Sequence, residues 1–394
     1  MKRTKRCALA LVICLCVLFG TVFSVLCLAA ETAGDANVDQ SVNMKDVLVL
    51  RQYLAGTAEL ASVQHADANV DGEVNMKDVL FLRKYLAGMD ETLATFTTTP
   101  QLTALKGTDR SLGVWWWSWS DGRKEETREM YLDFFEKNGV TEIYYYCGSI
   151  LNTEFNRTIV YDFIKAAMAH NMRVAYLFDV QEVVDAENQS FEKAVVNFNT
   201  YNSEYPDAPL YGIHCDIEPK WDRMQDYVDN FIVGDVSVAR AAGVCVELDL
   251  NMNWDRAKFN YIGSATHMFT GTELPIYEIL AYNCDCMCMM SYRTSATRLV
   301  DGTKYSRKAA QKVGTKIVYG IEVGDSHEGA NVDFHLHSKE YVYDFVAELD
   351  HQMQFELQPD AGWGYAIHHQ RVWYAMRDFE LSEKNSLQMK TSGV

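Results

Sequence analysis

The chain has 394 residues, 48% of them hydrophobic, and a formal charge of −18 at pH 7. So acidic a balance argues against nucleic acid and anionic membranes as partners, and it favours cation binding. The length allows one large domain with a smaller one beside it.

Lys2, Arg3, Lys5 and Arg6 precede an apolar run at 7–28 that ends in Ala29-Ala30-Glu31. A basic start, an apolar middle and small residues before a polar segment describe a secretory signal peptide, residues 1–30, whose loss deepens the negative balance by four charges. The run is also long enough to span a bilayer, which leaves an uncleaved anchor as the alternative. Four of the ten cysteines lie in this leader. Cys147, Cys215, Cys245, Cys284, Cys286 and Cys288 fall in apolar runs, and "CDCMC" alternates, which would put its three thiols on one strand face. A zinc site draws ligands from two separated pairs, so buried small hydrophobes are the expectation.

A duplication follows. "DANVDQSVNMKDVLVLRQYLAG" begins at Asp35 and "DANVDGEVNMKDVLFLRKYLAG" at Asp67. Oxygen-bearing side chains recur at loop positions 1, 3, 5, 9 and 12: Asp35, Asn37, Asp39, Asn43 and Asp46, then Asp67, Asn69, Asp71, Asn75 and Asp78. A hard cation such as Ca2+ takes six to eight oxygens at such spacing, with a backbone carbonyl at position 7. Two sites are therefore expected. Gln40 occupies the sharp turn that Gly72 fills in the second loop, so the first site should be strained and weaker. An amphipathic helix should follow each loop.

Residues 34–90 resemble a type I dockerin, a small all-α calcium-binding module that plugs enzymes into scaffoldin cohesin domains. The resemblance implies an extracellular, cellulosomal setting and a cohesin partner. By loop position it assigns cohesin contacts to Met44, Lys45, Met76 and Lys77, followed by Arg51 and Arg83. Because both repeats carry the same pair, either face could dock. Thr-rich residues 91–107 lack periodicity and read as a linker.

From 108 to 380, β-rich apolar runs alternate with amphipathic segments: "SLGVWWWSW", "TEIYYYCGS", "RVAYLFDV", "LYGIHCDIE", "VCVELDLNMN", "CMCMMSY", "KIVYGIEVG" and "GWGYAIHH". Eight strand–helix alternations fit a (β/α)8 TIM barrel, an α/β fold. An open doubly wound sheet is the alternative, although no Gly-rich fingerprint follows the first strand.

A barrel keeps its active site at the strands' C-terminal ends. The polar residues there are Asp179, Asp216, Glu218, Glu247, Asp249, Tyr292, Glu322, His368 and His369. Strand alternation sets Asp216 and Glu218 on one face. Glycosidic cleavage needs a proton donor and a group that stabilises charge at the anomeric carbon. Glu218, longer and at the strand end, is the candidate acid. Asp216 would raise its proton affinity by repulsion. Tryptophans suit sugar stacking, and Trp115, Trp117, Trp221, Trp254 and Trp363 are the candidates, with His368 as a hydroxyl partner. His335 and His337 ("HLH") read as loop residues.

"GIHCDIEP" resembles strand four of the family 18 chitinases and endo-β-N-acetylglucosaminidases, with Asp216 as the middle Asp and Glu218 as the acid. "MSY" resembles that family's Met-x-Tyr, which would make Tyr292 hold an N-acetyl group. His214 replaces the first Asp, and Arg293 stands where an Asp is usual. A second resemblance is to the large retaining clan, whose acid precedes Pro and whose strand-seven nucleophile would be Glu322; Ile217 replaces that clan's usual Asn. Both imply a secreted glycoside hydrolase with no cofactor in its barrel. A non-catalytic carbohydrate-binding barrel is the rival from another class. The absence of Gly-x-Ser-x-Gly weighs against a peptidase or esterase.

Overall fold

The computed structural model describes residues 31–39, 41–89, 93, 95–96, 100–147, 151–254, 256–268, 273–329 and 331–379. The leader and Gln40 lie outside them. Among the described residues, no helix is long and apolar enough to cross a membrane.

The N-terminal unit is built from two eleven-residue helices, α1 (Met44–Leu54) and α2 (Met76–Leu86). Each starts at an Asn whose side chain accepts from a backbone N–H of the first turn. Asp46 and Asp78 reach back to the cap N–H in return, closing a capping box. Val47, Leu50, Val79 and Leu82 point inward onto Ala36, Ala66, Ala68 and Leu60. Gly34 has φ +97°, and a Cβ there would lie 2.5 Å from Leu82 Cδ2, so any other residue would meet a strained backbone and the Leu82 side chain. Residues 31–32 pair antiparallel with 95–96 and tie the unit's two ends together.

Eight parallel strands then close into a barrel: β1 (Ser111–Trp116), β2 (Glu142–Tyr145), β3 (Arg173–Phe178), β4 (Ile213–Cys215), β5 (Val246–Asn251), β6 (Cys286–Met290), β7 (Lys316–Glu322) and β8 (Trp363–His368). β8 returns to β1 with Gly364 opposite Ser111. Helices alternate with the strands in chain order, and β4 leads into a π-helical stretch, Tyr227–Val236. The expected α/β TIM barrel and its eight strands are present.

Alternation divides the side chains. Outward residues such as Val114, Trp116, Ile143 and Leu248 pack into the large core under the helices. Trp115, Tyr144, Ala175, Leu177, Cys286, Cys288, Val318 and Ala366 fill the interior. At the closed N-terminal end, buried Glu142 accepts from Lys316 Nζ at 2.7 Å and Arg173 Nη2 at 2.5 Å.

Two expectations need correction. Residues 91–107 are not all linker: Leu102 and Leu105 are buried in the barrel's outer core, and Leu102 N–H donates to Asn138 Oδ1 at 2.9 Å. Apolar residues three apart are enough to dock this Thr-rich stretch. The thiols of "CDCMC" do not share one environment either. Cys284 ends the helix Ile276–Asn283 ahead of β6 and joins the outer core, whereas Cys286 and Cys288 face the interior. All six described cysteines are free, and five are buried.

Candidate functional site

The two acidic loops share most of their hydrogen bonds. Asp46 accepts from the N–H groups of Asn37 (3.2 Å) and Asn43 (2.7 Å), and Asp78 accepts from those of Asn69 (3.3 Å) and Asn75 (2.7 Å). Asp39 N–H donates to Asp35 at 3.1 Å, as Asp71 N–H does to Asp67. Gly72, at φ +88°, adds a 2.7 Å bond to Asp67.

Burial raises the Asp46 carboxyl, with Asp35 and Asp39 adding repulsion. Asp67 is pushed up to about 7 by burial and by Asp78 and Asp71. Asp78 is raised by burial and Asp71. Clustered, half-desolvated carboxylates of this kind fit a divalent, oxygen-loving cation. One expected ligand pair has a second task. Asn43 and Asn75 Oδ1 cap α1 and α2 by accepting Lys45 N–H (2.9 Å) and Lys77 N–H (2.8 Å), which leaves each oxygen a second lone pair. Those N–H groups would otherwise lack a partner in the first helical turn. The strain expected at the first loop rests on Gln40 and lies outside the described residues.

At the barrel mouth, Gln181 organises the end of β4. Its Nε2 donates to the carbonyls of Asp216 (2.8 Å) and Asp179 (3.2 Å), and its Oε1 accepts from Glu218 N–H at 2.7 Å. Asp216 Oδ1 is buried without a hydrogen-bond partner. Its proton affinity is pushed up to about 8 by burial, Asp249 and Glu218, with His214 opposing. Glu218 stands at the exposed rim, and its carboxyl is raised by desolvation, Asp249 and Glu328, against His368. Both carboxyls are thus raised from their ordinary values.

Opposite them, Trp117 Nε1–H donates to His368 Nε2 at 2.9 Å, and His368 Nδ1 lies 2.5 Å from Glu322 Oε2. Accepting at Nε2 makes His368 a donor at Nδ1. Glu322 Oε1 takes Gly324 N–H at 2.6 Å. Glu322 thus carries one donor on each oxygen and fixes the orientation of His368. The Tyr292 ring lies 6.2 Å from that of His368. Its hydroxyl is held well above the usual phenol range by burial and by Glu322, Asp249 and Asp216.

Beneath the mouth sits His214, the residue in the first-Asp position of the strand-four motif. It is fully buried, with Nδ1 2.9 Å from Glu247 Oε2 and Nε2 2.9 Å from Asp249 Oδ1.

The tryptophans separate by position. Trp117 is half-buried at the mouth, and Trp221 is 63% exposed just beyond Glu218, its ring 6.3 Å from Phe259. Trp115, 1% exposed, is floor, and its Nε1–H donates to Asp249 Oδ2 at 3.0 Å. Trp254 is buried in the outer core against Tyr227. Trp363 opens β8 and so lies at the closed end, under the Arg110 guanidinium at 3.7 Å. Neither Trp254 nor Trp363 reaches the cleft. His335 pairs with Asp333, and His337 stacks on Tyr341, so both stay in their loop.

Residues 33–87 match the type I dockerin domain. In this dockerin the repeats expose the same side chains to the same degree: Met44 and Met76 at 61%, Leu48 and Leu80 at 55%. Lys45 and Lys77 are exposed and pair with Asp39 (3.3 Å) and Asp71 (2.9 Å). Arg51 and Arg83 are exposed as well. The metal-ligand pattern of the sequence does not point to Leu48 and Leu80, although their place four residues after each Met marks the same helix face.

No curated protein matches the chain. Similar solved structures include an endo-β-N-acetylglucosaminidase from Cordyceps militaris, 12% identical over 73% of this chain and 92% of that one, TM-score 0.39. A chitinase from Chromobacterium violaceum is 13% identical over 54% and 68%, TM-score 0.34. A D-psicose 3-epimerase from Clostridium cellulolyticum is 10% identical over 72% and 96%, TM-score 0.36.

Proposed function

We propose that the barrel is a secreted glycoside hydrolase carried on a cohesin by its calcium-loaded dockerin. The observation that carries the reading is the pair Asp216 and Glu218, two carboxyls of raised proton affinity held at one strand end by Gln181. A proton held near neutral pH is what a departing glycosidic oxygen requires.

Glu218, at the rim, protonates that oxygen and later takes a proton from the incoming water. Asp216 and Tyr292 face the reacting sugar from below. Glu322 is engaged by His368 and Gly324, which supports a reading in which an N-acetyl group of the substrate is the internal nucleophile. Its carbonyl oxygen bonds to the anomeric carbon as the leaving group departs. Tyr292 O–H and Asp216 hold the amide during that step. Trp117 and Trp221 supply faces for flanking sugars.

In the dockerin, Asp35, Asn37, Asp39 and Asp46 would hold one calcium ion, and Asp67, Asn69, Asp71 and Asp78 the other. The ions would neutralise the clustered carboxylates and fix α1 and α2 for docking. The Met44–Lys45 and Met76–Lys77 faces are equivalent candidates for the cohesin contact.

The test is hydrolysis of N-acetylated and non-acetylated oligosaccharides side by side. Cleavage confined to the N-acetylated set, and blocked by a thiazoline mimic of the cyclised intermediate, supports the mechanism. Equal cleavage of sugars lacking the N-acetyl group would return the nucleophile's role to Glu322. Sugar binding without cleavage would support a carbohydrate-binding barrel.

A further inference from the structure

The barrel interior contains three ionisable groups that the proposed chemistry does not use. An oxygen of an ionised carboxylate can only accept, so an imidazole facing Glu247 on one nitrogen and Asp249 on the other, each at 2.9 Å, needs hydrogens on both. Both carboxylates are also supplied with further donors. Tyr211 O–H donates to Glu247 at 3.0 Å, and Trp115 Nε1–H to Asp249 at 3.0 Å. Each carboxylate thus meets two donors, the surroundings that an imidazolium between two carboxylates requires. Tyr144 stacks on the ring at 3.7 Å and seals it.

The surrounding charges divide unevenly. Lys316 on β7 and Arg173 on β3 act on Glu247 from the closed end. Asp249 has His214 and the neutral Trp115 donor on its side. Cys288, facing Asp249 from β6, keeps its thiol proton because burial and Asp249 raise it. Glu142 shares Lys316 and Arg173, so the charges of the interior balance as a whole, and what matters at the mouth is position: the β4–β5 register that sets Cys215 beside Leu248 brings Asp216 next to Asp249.

We propose that His214, Glu247 and Asp249 form a permanent charge base under the cleft, in which a buried imidazolium bonded to both carboxylates holds Asp249 in place beside Asp216. Asp249 is a positioning residue here and needs no contact with substrate. Among charged neighbours it is the foremost one raising each of the two acids. His214 is what makes the arrangement tolerable. A buried carboxylate stripped of its cation takes up a proton, and the field at the mouth would vanish with it. The proposal rests on the reading of Asp216 and Glu218 as the working acids.

The experiment is NMR on the full chain, labelled with 15N in histidine and 13C in aspartate carboxyls. At about pH 8, above the ordinary 6.5 of imidazole and below the roughly 10 of His214, both ring nitrogens of His214 should carry hydrogen. Its signal is assigned by contact with the Tyr144 ring and by its loss in His214→Gln. In Asp249→Asn, Asp216 should lose about tenfold in proton affinity. A bare nitrogen on His214 at that pH overturns the proposal, and so does an unmoved Asp216 in Asp249→Asn. If that variant does not fold, the wild-type ring nitrogens still decide. Hydrolysis is not the readout, so a chain that passes both tests yet cleaves no sugar keeps the charge base and loses the glycosidase reading.

Discussion

Gln181 Oε1 accepts the backbone N–H of Glu218 at 2.7 Å, while Gln181 Nε2 donates to the Asp216 carbonyl at 2.8 Å. One side chain from the segment after β3 thus sets the direction in which both acids leave β4. Gln181→Ala removes these bonds without touching either carboxyl. We expect kcat to fall about tenfold, the cost of roughly one lost hydrogen bond at the acid, with KM little changed. An unaltered kcat would show that β4 holds its own end.

The two candidate second groups make different demands. If Glu322 orients His368, Glu322→Gln should cost about ten- to a hundredfold in kcat, because glutamine still offers an oxygen to His368 Nδ1–H. Tyr292→Phe should cost as much or more, by removing a group that faces the reacting sugar. A loss of roughly 10⁴-fold or more in Glu322→Gln alone would mark Glu322 as the nucleophile.

The calcium loops carry a pH signature. Asp67 is raised from 3.8 to about 7 in the folded, ion-free loop, so its proton stabilises that fold. The contribution is full below 3.8 and is lost as pH rises through about 7. Melting of the calcium-free dockerin should therefore drop over that window, whereas saturating calcium should raise it most at the alkaline end. Calorimetry with chelator and with calcium checks both. A calcium-free melting point that rises steadily across the window would contradict the account.

His170 behaves as a surface switch of stability. Its ring lies 2.8 Å from Glu136 and 3.4 Å from Glu129, and these carboxylates raise it above 6.5 although burial opposes them. A raised imidazole stabilises fully below 6.5 and loses that contribution as pH climbs through its folded value. Solvent screens the site, so the effect should be about 1 kcal/mol or less. Wild type should exceed His170→Gln in Tm at pH 5 and match it at high pH. A gap independent of pH would point to packing.

Gly34→Ala probes the dockerin core. The backbone sits at φ +97°, and the new methyl would meet Leu82 at 2.5 Å. Strain and overpacking should cost about 1–3 kcal/mol, read in calcium-saturated melting of this unit. A neutral result would mean the close contact relaxes without cost.

Alternation of apolar residues made all eight barrel strands legible, and repeated oxygen donors marked both acidic loops. Residue type alone could not say which end of a strand an aromatic occupies. Trp363 was therefore grouped with the cleft although it begins β8, and Trp254 although it faces helices. His214 was visible only as a departure from a motif. Its partners lie 33 and 35 positions along the chain and meet it through the β4–β5 register, where His214 stands opposite Glu247. Gln181 left no sequence signal, because a clamp on backbone atoms follows no periodicity. The docked Leu102 and Leu105 were hidden by the threonines around them.

The central claim is that Glu218 delivers the proton that breaks a glycosidic bond. The most direct test compares wild type with Glu218→Gln on a panel of plant, fungal and bacterial-wall polysaccharides. A general acid accounts for about 10²–10⁴-fold in rate. The account predicts that the variant loses at least that much kcat while still binding the sugar. Hydrolysis undiminished in Glu218→Gln would contradict it.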